Sequence, residues 1–451
     1  MSITYIAVIV ILGVALLLVA VLKYKLNAFI ALLIVSIFVG ILAGMPLQGI
    51  LTSIQKGMGN TLGFVAVVVG LGAIFGQMLE SSGGANALAE NLLTWFGKSR
   101  ASWALVITGF IVAIPVFLDV GLIILVPMVY ALARESGKSL LFYGIPLLAG
   151  LAVTHAFIPP TPGPIAVADI LGADLGWVIF FGITLGLPTA VIAGPIFGTY
   201  IANRIHISAP NDLVSETSVS SSSDQPSFRL VAFIIATPLI LILSGTLTAV
   251  LTERSLIASS KFTEVASFLG HPFSALIIAT LMSIYFLCSK RGIPKEQILE
   301  LSTKALGPAG IIILVTGAGG VLKQVLIDSG IGQIIADVIA DAAMPAILLA
   351  WILAGAVRVT QGSATVAMIT AAGIMAPILP VLNLSAPHIA LVVIAIASGG
   401  TILSHVNDSG FWLVSRYFGM NEKQTLQSWT VMETLVGVCG LVFALIASLL
   451  I

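Results

Sequence analysis

Apolar stretches of about twenty residues follow one another along almost the whole chain, and this limits the possible folds more than any other feature. In a bilayer every backbone N–H and C=O must find a partner inside the protein, so stretches of this kind form α-helices. A barrel would instead alternate polar and apolar residues in short segments. The stretches fall near 3–22, 26–44, 61–79, 142–171 and 176–203, then 229–251, 271–289, 307–327, 387–415 and 427–450. With 59% hydrophobic and 8% charged residues, the chain reads as an all-α polytopic membrane protein. Nineteen basic residues balance nineteen acidic ones, so nothing draws it to nucleic acid. The first stretch lacks a basic leader and a small-residue cleavage site, and reads as a retained span. Cys288 and Cys439 both lie in apolar runs and give neither a disulfide framework nor a metal cluster.

Two of the stretches break into polar residues, at matching places. AIASGGTILSHVNDSGFW, from Ala395, carries His405, Asn407 and Asp408 at membrane depth, where a charge costs roughly 2.5 to 3.5 kcal/mol even on the lenient insertion scale. LAGLAVTHAFIPPTPGPIA, from Leu148, sets Gly150, Thr154 and His155 opposite Gly400, Ser404 and His405 at a constant spacing of 250. Upstream, Gly70, Gly72, Gln77 and Gly83 stand opposite Gly317, Gly319, Gln324 and Gly330 at 247. The chain is an internal duplication, and paired interrupted segments of this kind point to a transporter's midplane binding site.

Each half also holds a longer apolar block, 101–133 and 345–380, with breakers at its middle (IPVFLDVG and RVTQGSAT). Both read as re-entrant hairpins. Full spans on all their arms would give fourteen helices instead of about ten plus two hairpins and two broken helices. Five crossings per half place the halves upside down to each other, as inverted-topology repeats at 1–205 and 229–451. The polar, serine-rich run 206–228 joins them as a cytoplasmic linker. Lysine and arginine concentrate in the loops at 23–25, 98–100, 134–138, 204, 229, 290–304 and 416–423, which predicts those loops inside and both termini outside. Amphipathic pieces near 86–97 and 331–341 read as interfacial helices.

Candidate site residues follow. His405, Asn407 and Asp408 act either as polar contacts between helices or as an unwound site, and the flanking Gly399, Gly400 and Gly410 favour the site. The prolines from Pro159 to Pro164 break the helix after His155, but a kink alone does not explain the histidine. Arg358 lies about 20 Å into its hairpin at ~1.5 Å per residue. A guanidinium there needs an anion, either Asp408 or the carboxylate of a substrate. Gln361, Gly362, Ser363 and Thr365 beside it offer an amide, hydroxyls and backbone to a hydroxylated ligand. Asp119, at the other hairpin tip, is a candidate proton carrier or a helix cap, while Lys323 and Asp328 read as snorkelling side chains. The GKS tripeptides at Gly97 and Gly137 lack the upstream glycine of a phosphate loop, and no histidine pair has metalloprotease spacing. No catalytic, metal or cofactor site emerges, which excludes the readable enzyme classes. An ion antiporter or channel is the other transport class open to the buried acids and histidines.

The strings GSATVAMITAAGIMAP from Gly362, LSHVNDSGFWL from Leu403, THAFIPPTPGP from Thr154, GLGAIFGQMLESSGGA from Gly70 and GAGGVLKQVLIDSG from Gly317 resemble those of the gluconate permease (GntP) family of proton symporters. The resemblance covers nearly the whole chain. It implies proton-coupled uptake of gluconate or a related sugar acid across the bacterial inner membrane; relatives carry idonate, fructuronate, glycerate or D-serine. It also implies the inverted repeats, re-entrant hairpins and often homodimeric scaffold of the wider ion-transporter superfamily. Arg358, Gln361, Gly362, Ser363, Thr365, His155, Thr161, His405 and Asn407 become candidates for substrate binding, and Asp119, Asp408 and His405 for proton coupling. Thr161 stands where many members have histidine, and Asp119 where glutamate is common.

Overall fold

The computed structural model describes residues 3–97, 100–209, 225–331 and 344–451, and every regular element among them is helical. The first half runs α1 (Ile3–Leu18), α2 (Ala28–Leu42), α3 (Leu47–Ser81), α4 (Gly84–Phe96), α5 (Ala101–Val112), α6 (Leu118–Ser136), α7 (Leu141–Phe157), α8 (Pro162–Leu171) and α9 (Leu175–Val191). A π turn carries α9 into α10 (Phe197–Ala202). The second half runs α11 (Phe228–Glu253), α12 (Lys261–Gly270), α13 (Pro272–Met282), α14 (Lys295–Asp328), α15 (Ala346–Gln361), α16 (Ala364–Met375), α17 (Ala386–Gly399), α18 (Ser409–Phe418), α19 (Glu422–Thr425) and α20 (Val431–Ser448). Among the described residues seven helical stretches are long and apolar enough to cross a membrane, and this is a multi-pass membrane protein. The other apolar helices are short, because they are the arms of hairpins, one side of a break, or, as with α2, only 15 residues long.

The spans expected at 61–79 and 307–327 are longer than their apolar cores. α3 has 35 residues and α14 has 34, about 50 Å each at ~1.5 Å per residue. Both exceed the ~30 Å hydrocarbon layer and must tilt or project. The polar residues at their starts, Gln48, Gln55, Lys56 and Asn60 in α3 and Glu296, Glu300 and Lys304 in α14, hide the helix from a hydropathy reading. Apart from Asn60 they are nonetheless good helix formers.

These two helices pack antiparallel along most of their length. The Ser53 hydroxyl, near the start of α3, donates to Asp328 at the end of α14 (2.6 Å), and further along Gly70 lies against Leu306. Between them Gly57 permits the closest approach, since a Cβ there would sit 2.6 Å from the Gly320 carbonyl. Asp328 also accepts from Gln324 (2.8 Å), and Lys323 donates to the Ile170 carbonyl at the end of α8 (2.5 Å). Both side chains also have partners within the protein: Asp328 joins the two long helices, and Lys323 satisfies a carbonyl left free where α8 stops.

Each longer apolar block forms two helices joined at a tip, and both breaks appear. α5 and α6 meet at a tip formed by 113–117, and α15 and α16 at Gly362 and Ser363. α7 stops at Phe157 because Pro159, Pro160 and Pro162 have no N–H to continue the ladder, and α8 restarts with Thr161 as N-cap and Pro162 at its first position. α17 stops at the Gly399–Gly400 pair, and α18 restarts after Asp408, whose side chain caps it through the Gly410 amide. The amphipathic piece near 86–97 is α4; its counterpart at 331–341 falls outside the described residues except for Ile331, as does most of the 206–228 linker.

Candidate functional site

The two breaks and the two hairpin tips enclose one cavity of about 560 Å³, within the range of small-molecule sites. Four helices begin on its wall: α6 at Leu118 and Asp119, α8 at Pro162 and Gly163, α16 at Ala364 and Thr365, and α18 at Ser409 and Gly410. First-turn amides have no acceptor within their own helix, and each helix start carries roughly half a positive charge. Four such starts turned on one space favour an anion there.

Arg358, 3% exposed, occupies the last turn of α15 and faces the same cavity. Its guanidinium donates to the Gly362 carbonyl and forms an ion pair with Asp408 at 2.5 Å. The tip closes over this contact because Gly362 takes a left-handed conformation (φ 78°), open to glycine without strain. Asp408 is well satisfied: besides Arg358 it accepts from the Ser404 hydroxyl and from the Gly410 amide at 3.1 Å. Trp429 donates to Ser404 (2.7 Å) and Thr430 to the Ser404 carbonyl, so a π turn at Leu426–Thr430 holds the segment that carries the acid. The structural pairing of Arg358 with Asp408 is therefore realised, and Arg358 still presents an Nε with no partner.

Buried atoms without hydrogen-bond partners gather here. Arg358 Nε, Gln361 Nε2, His155 Nδ1 and Glu433 Oε1 all belong to residues of the cavity wall. Unsatisfied buried polar atoms cost about 1–3 kcal/mol each, so their concentration here sets this wall apart from the ordinary packed interior. Phe117 packs edge-on against His155 with ring centroids 6.0 Å apart. Asp119, Asn407 and Ser409 are exposed, so the cavity is open on their side. Among the described residues no three His, Cys, Asp or Glu side chains form a metal-holding group.

Most of the residues expected from the sequence line this space: Asp119, His155, Arg358, Gln361, Gly362, Ser363, Thr365, Asn407 and Asp408. Two do not. His405 donates its Nε2–H to the Val359 carbonyl (2.9 Å), and Asn407 also donates to Val359 and Thr360. Together they satisfy the last carbonyls of α15, which tie the broken segment to the hairpin. Thr161 lies behind the wall, among Val69, Ala73, Ile114 and Pro115, with its hydroxyl donated to Ile158 (2.6 Å). Sequence reasoning missed Glu433, Trp429 and Thr401. Glu433 had left a signal, being the single charged residue in the apolar stretch 427–450, where an ionisable group is functional by default.

The model of the GntP family permease matches residues 5–450. The chain is 41% identical over 435 residues to the low-affinity gluconate transporter of Escherichia coli (strain K12), covering 96% of each. It is 39% identical to the gluconate permease of Bacillus subtilis (strain 168), over 98% of this chain and 99% of that one. It is also 39% identical to the Gnt-II system L-idonate transporter of Escherichia coli (strain K12), over 95% and 96%. Among solved structures, the YdaH transporter of Alcanivorax borkumensis shares the fold, with a TM-score of 0.66 at 14% identity over 92% of this chain and 96% of that one. Its low identity carries the fold and nothing more. A family match over nearly the full length, with the helical membrane architecture and its central cavity, makes the chain a member of the GntP permease family, a transport protein and not an enzyme.

Proposed function

We propose that this permease takes up gluconate or a closely related sugar acid together with protons, by symport across the bacterial inner membrane. The observation that carries the reading is the convergence of four helix starts and the Arg358 guanidinium on one cavity. A carboxylate matches the guanidinium, and the amides and hydroxyls of Gln361, Ser363, Thr365, Asn407 and Ser409 suit a polyol chain. A bare cation path would place four positive helix ends against its own ion, which argues against an antiporter. Proton coupling follows from charge. An anion entering a negative-inside cell is opposed by roughly 2.3 kcal/mol per 100 mV, and accompanying protons offset this.

The antiparallel packing of α3 on α14 supports 1–205 and 229–451 as inverted repeats joined by 206–228. The lysine and arginine distribution supports both termini outside. The relative named as an L-idonate transporter favours a second reading, in which the sugar acid is idonate. The test is uptake by purified protein in liposomes. Labelled gluconate should accumulate under an imposed inward proton gradient and be displaced by excess unlabelled substrate; no accumulation of gluconate or idonate would refute the proposal.

A further inference from the structure

Glu433 is the acid that the binding scheme above leaves without a task. It sits in the first turn of α20, directly after the π turn that holds Ser404, is 4% exposed, and lines the cavity beside Arg358 and Asp408. Two carboxyl groups thus line the wall near one guanidinium, which pairs with Asp408, and they are not equally served. Asp408 takes donors from Arg358, Ser404 and Gly410, whereas Oε1 of Glu433 is buried with no donor. A buried carboxylate without donors is costly, while a carboxylic acid supplies its own O–H. The acid that can carry a proton in this pair is therefore Glu433, not Asp408.

The other groups facing it are few. Among the elements packed against α20, α15 brings Arg358, α7 brings His155 across the cavity, and α9 brings no titratable side chain. α17 brings only His388, at its far end and bonded to Ser385 (2.7 Å). Asp119 faces the cavity from its open side. A sugar-acid carboxylate entering this space would be a third anionic group around one guanidinium. Bound substrate and ionised Glu433 therefore oppose each other, and by linkage each strengthens the other's competitor: substrate favours the proton on Glu433, and the proton favours substrate.

We propose that Glu433 holds the proton that travels with the sugar acid, neutral while the anion is bound and ionised after release. This rests on the symport reading above. The O–H bond forms at the Glu433 carboxylate with a proton from water on the outer side, and it breaks to water on the inner side. No bond of the substrate changes. Asp408 keeps its ion pair with Arg358 throughout.

Proteoliposomes containing the unmutated protein or Glu433→Gln, with labelled gluconate as probe, test this. With one coupled proton, the unmutated protein accumulates gluconate about tenfold per pH unit of imposed gradient. Glu433→Gln, which imitates the neutral acid, binds and exchanges gluconate with an affinity that no longer varies with pH, and gradient-driven accumulation falls at least tenfold. A glutamine variant that accumulates like the parent overturns the assignment while leaving symport intact; one that loses binding as well as accumulation makes Glu433 a plain substrate ligand and also overturns it. Failure of the unmutated protein to respond to the gradient defeats the symport reading itself, and this assignment with it. Should Glu433→Gln not fold, infrared difference spectra of the unmutated protein decide: addition of gluconate must raise a protonated-carboxyl band that shifts with 13C-glutamate labelling, and its absence overturns the proposal.

Discussion

Replacing Arg358 by alanine separates what this side chain does for the fold from what it does for the ligand. The substitution leaves the Asp408 carboxylate buried, with the Ser404 hydroxyl and the Gly410 amide but no cation. Breaking a buried pair by removing one partner costs about 3–5 kcal/mol, because the remaining charge is uncompensated. The double variant Arg358→Ala with Asp408→Asn removes both charges, and most of that stability should return. Binding should not return, since a charge-assisted contact to the substrate carboxylate is worth about 2–5 kcal/mol, a loss of roughly thirtyfold to several thousandfold in affinity. Asp408→Asn alone leaves the guanidinium buried without its counter-ion, so its stability should depend most strongly on added gluconate. The assays are thermal unfolding of detergent-purified protein with and without gluconate, and equilibrium binding of labelled gluconate. Parental affinity in Arg358→Ala would refute the clamp, and a double variant no more stable than the single one would refute the charge argument.

Three further outcomes are expected. Gly362→Ala must place a Cβ 2.2 Å from the Asn407 carbonyl oxygen at a φ of 78°, so the tip has to open and gluconate binding should weaken at least tenfold in the same binding assay. Gly57→Ala meets the Gly320 carbonyl at 2.6 Å and the Val321 Cα at 2.7 Å, both backbone that cannot step aside, and should lose about 1–3 kcal/mol. Gly59→Ala, with nothing within 4 Å, should instead gain up to about 1 kcal/mol from helix propensity; equal unfolding temperatures for the pair would contradict the close crossing of α3 and α14. Thr161→Ala removes the bond to Ile158 and about 1 kcal/mol of stability, yet gluconate affinity should stay within twofold, because the side chain is not on the cavity wall; a large loss of affinity would place it there after all.

The sequence by itself determined the solvent, the secondary structure and the breaks. Long apolar runs admit only helices in a bilayer, and Pro159–Pro164 and Gly399–Gly400 stop those helices wherever they are placed, because a missing N–H and a missing side chain act locally. The spacing of 250 between His155 and His405 marked both breaks as parts of one site. Partners were a different matter. His405 read as a ligand for a guest, and in the fold it faces an open carbonyl of α15, off the cavity wall that Asn407 does line. Lys323 read as a snorkelling cation and satisfies α8. Glu433 was visible as a lone charge, but only packing put it beside Arg358 and left one of its oxygens without a donor. The meeting of four helix starts was likewise decided by tertiary structure. Conformational preference is written residue by residue along the chain, whereas the direction in which a helix start or a polar side chain points depends on how segments hundreds of residues apart cross.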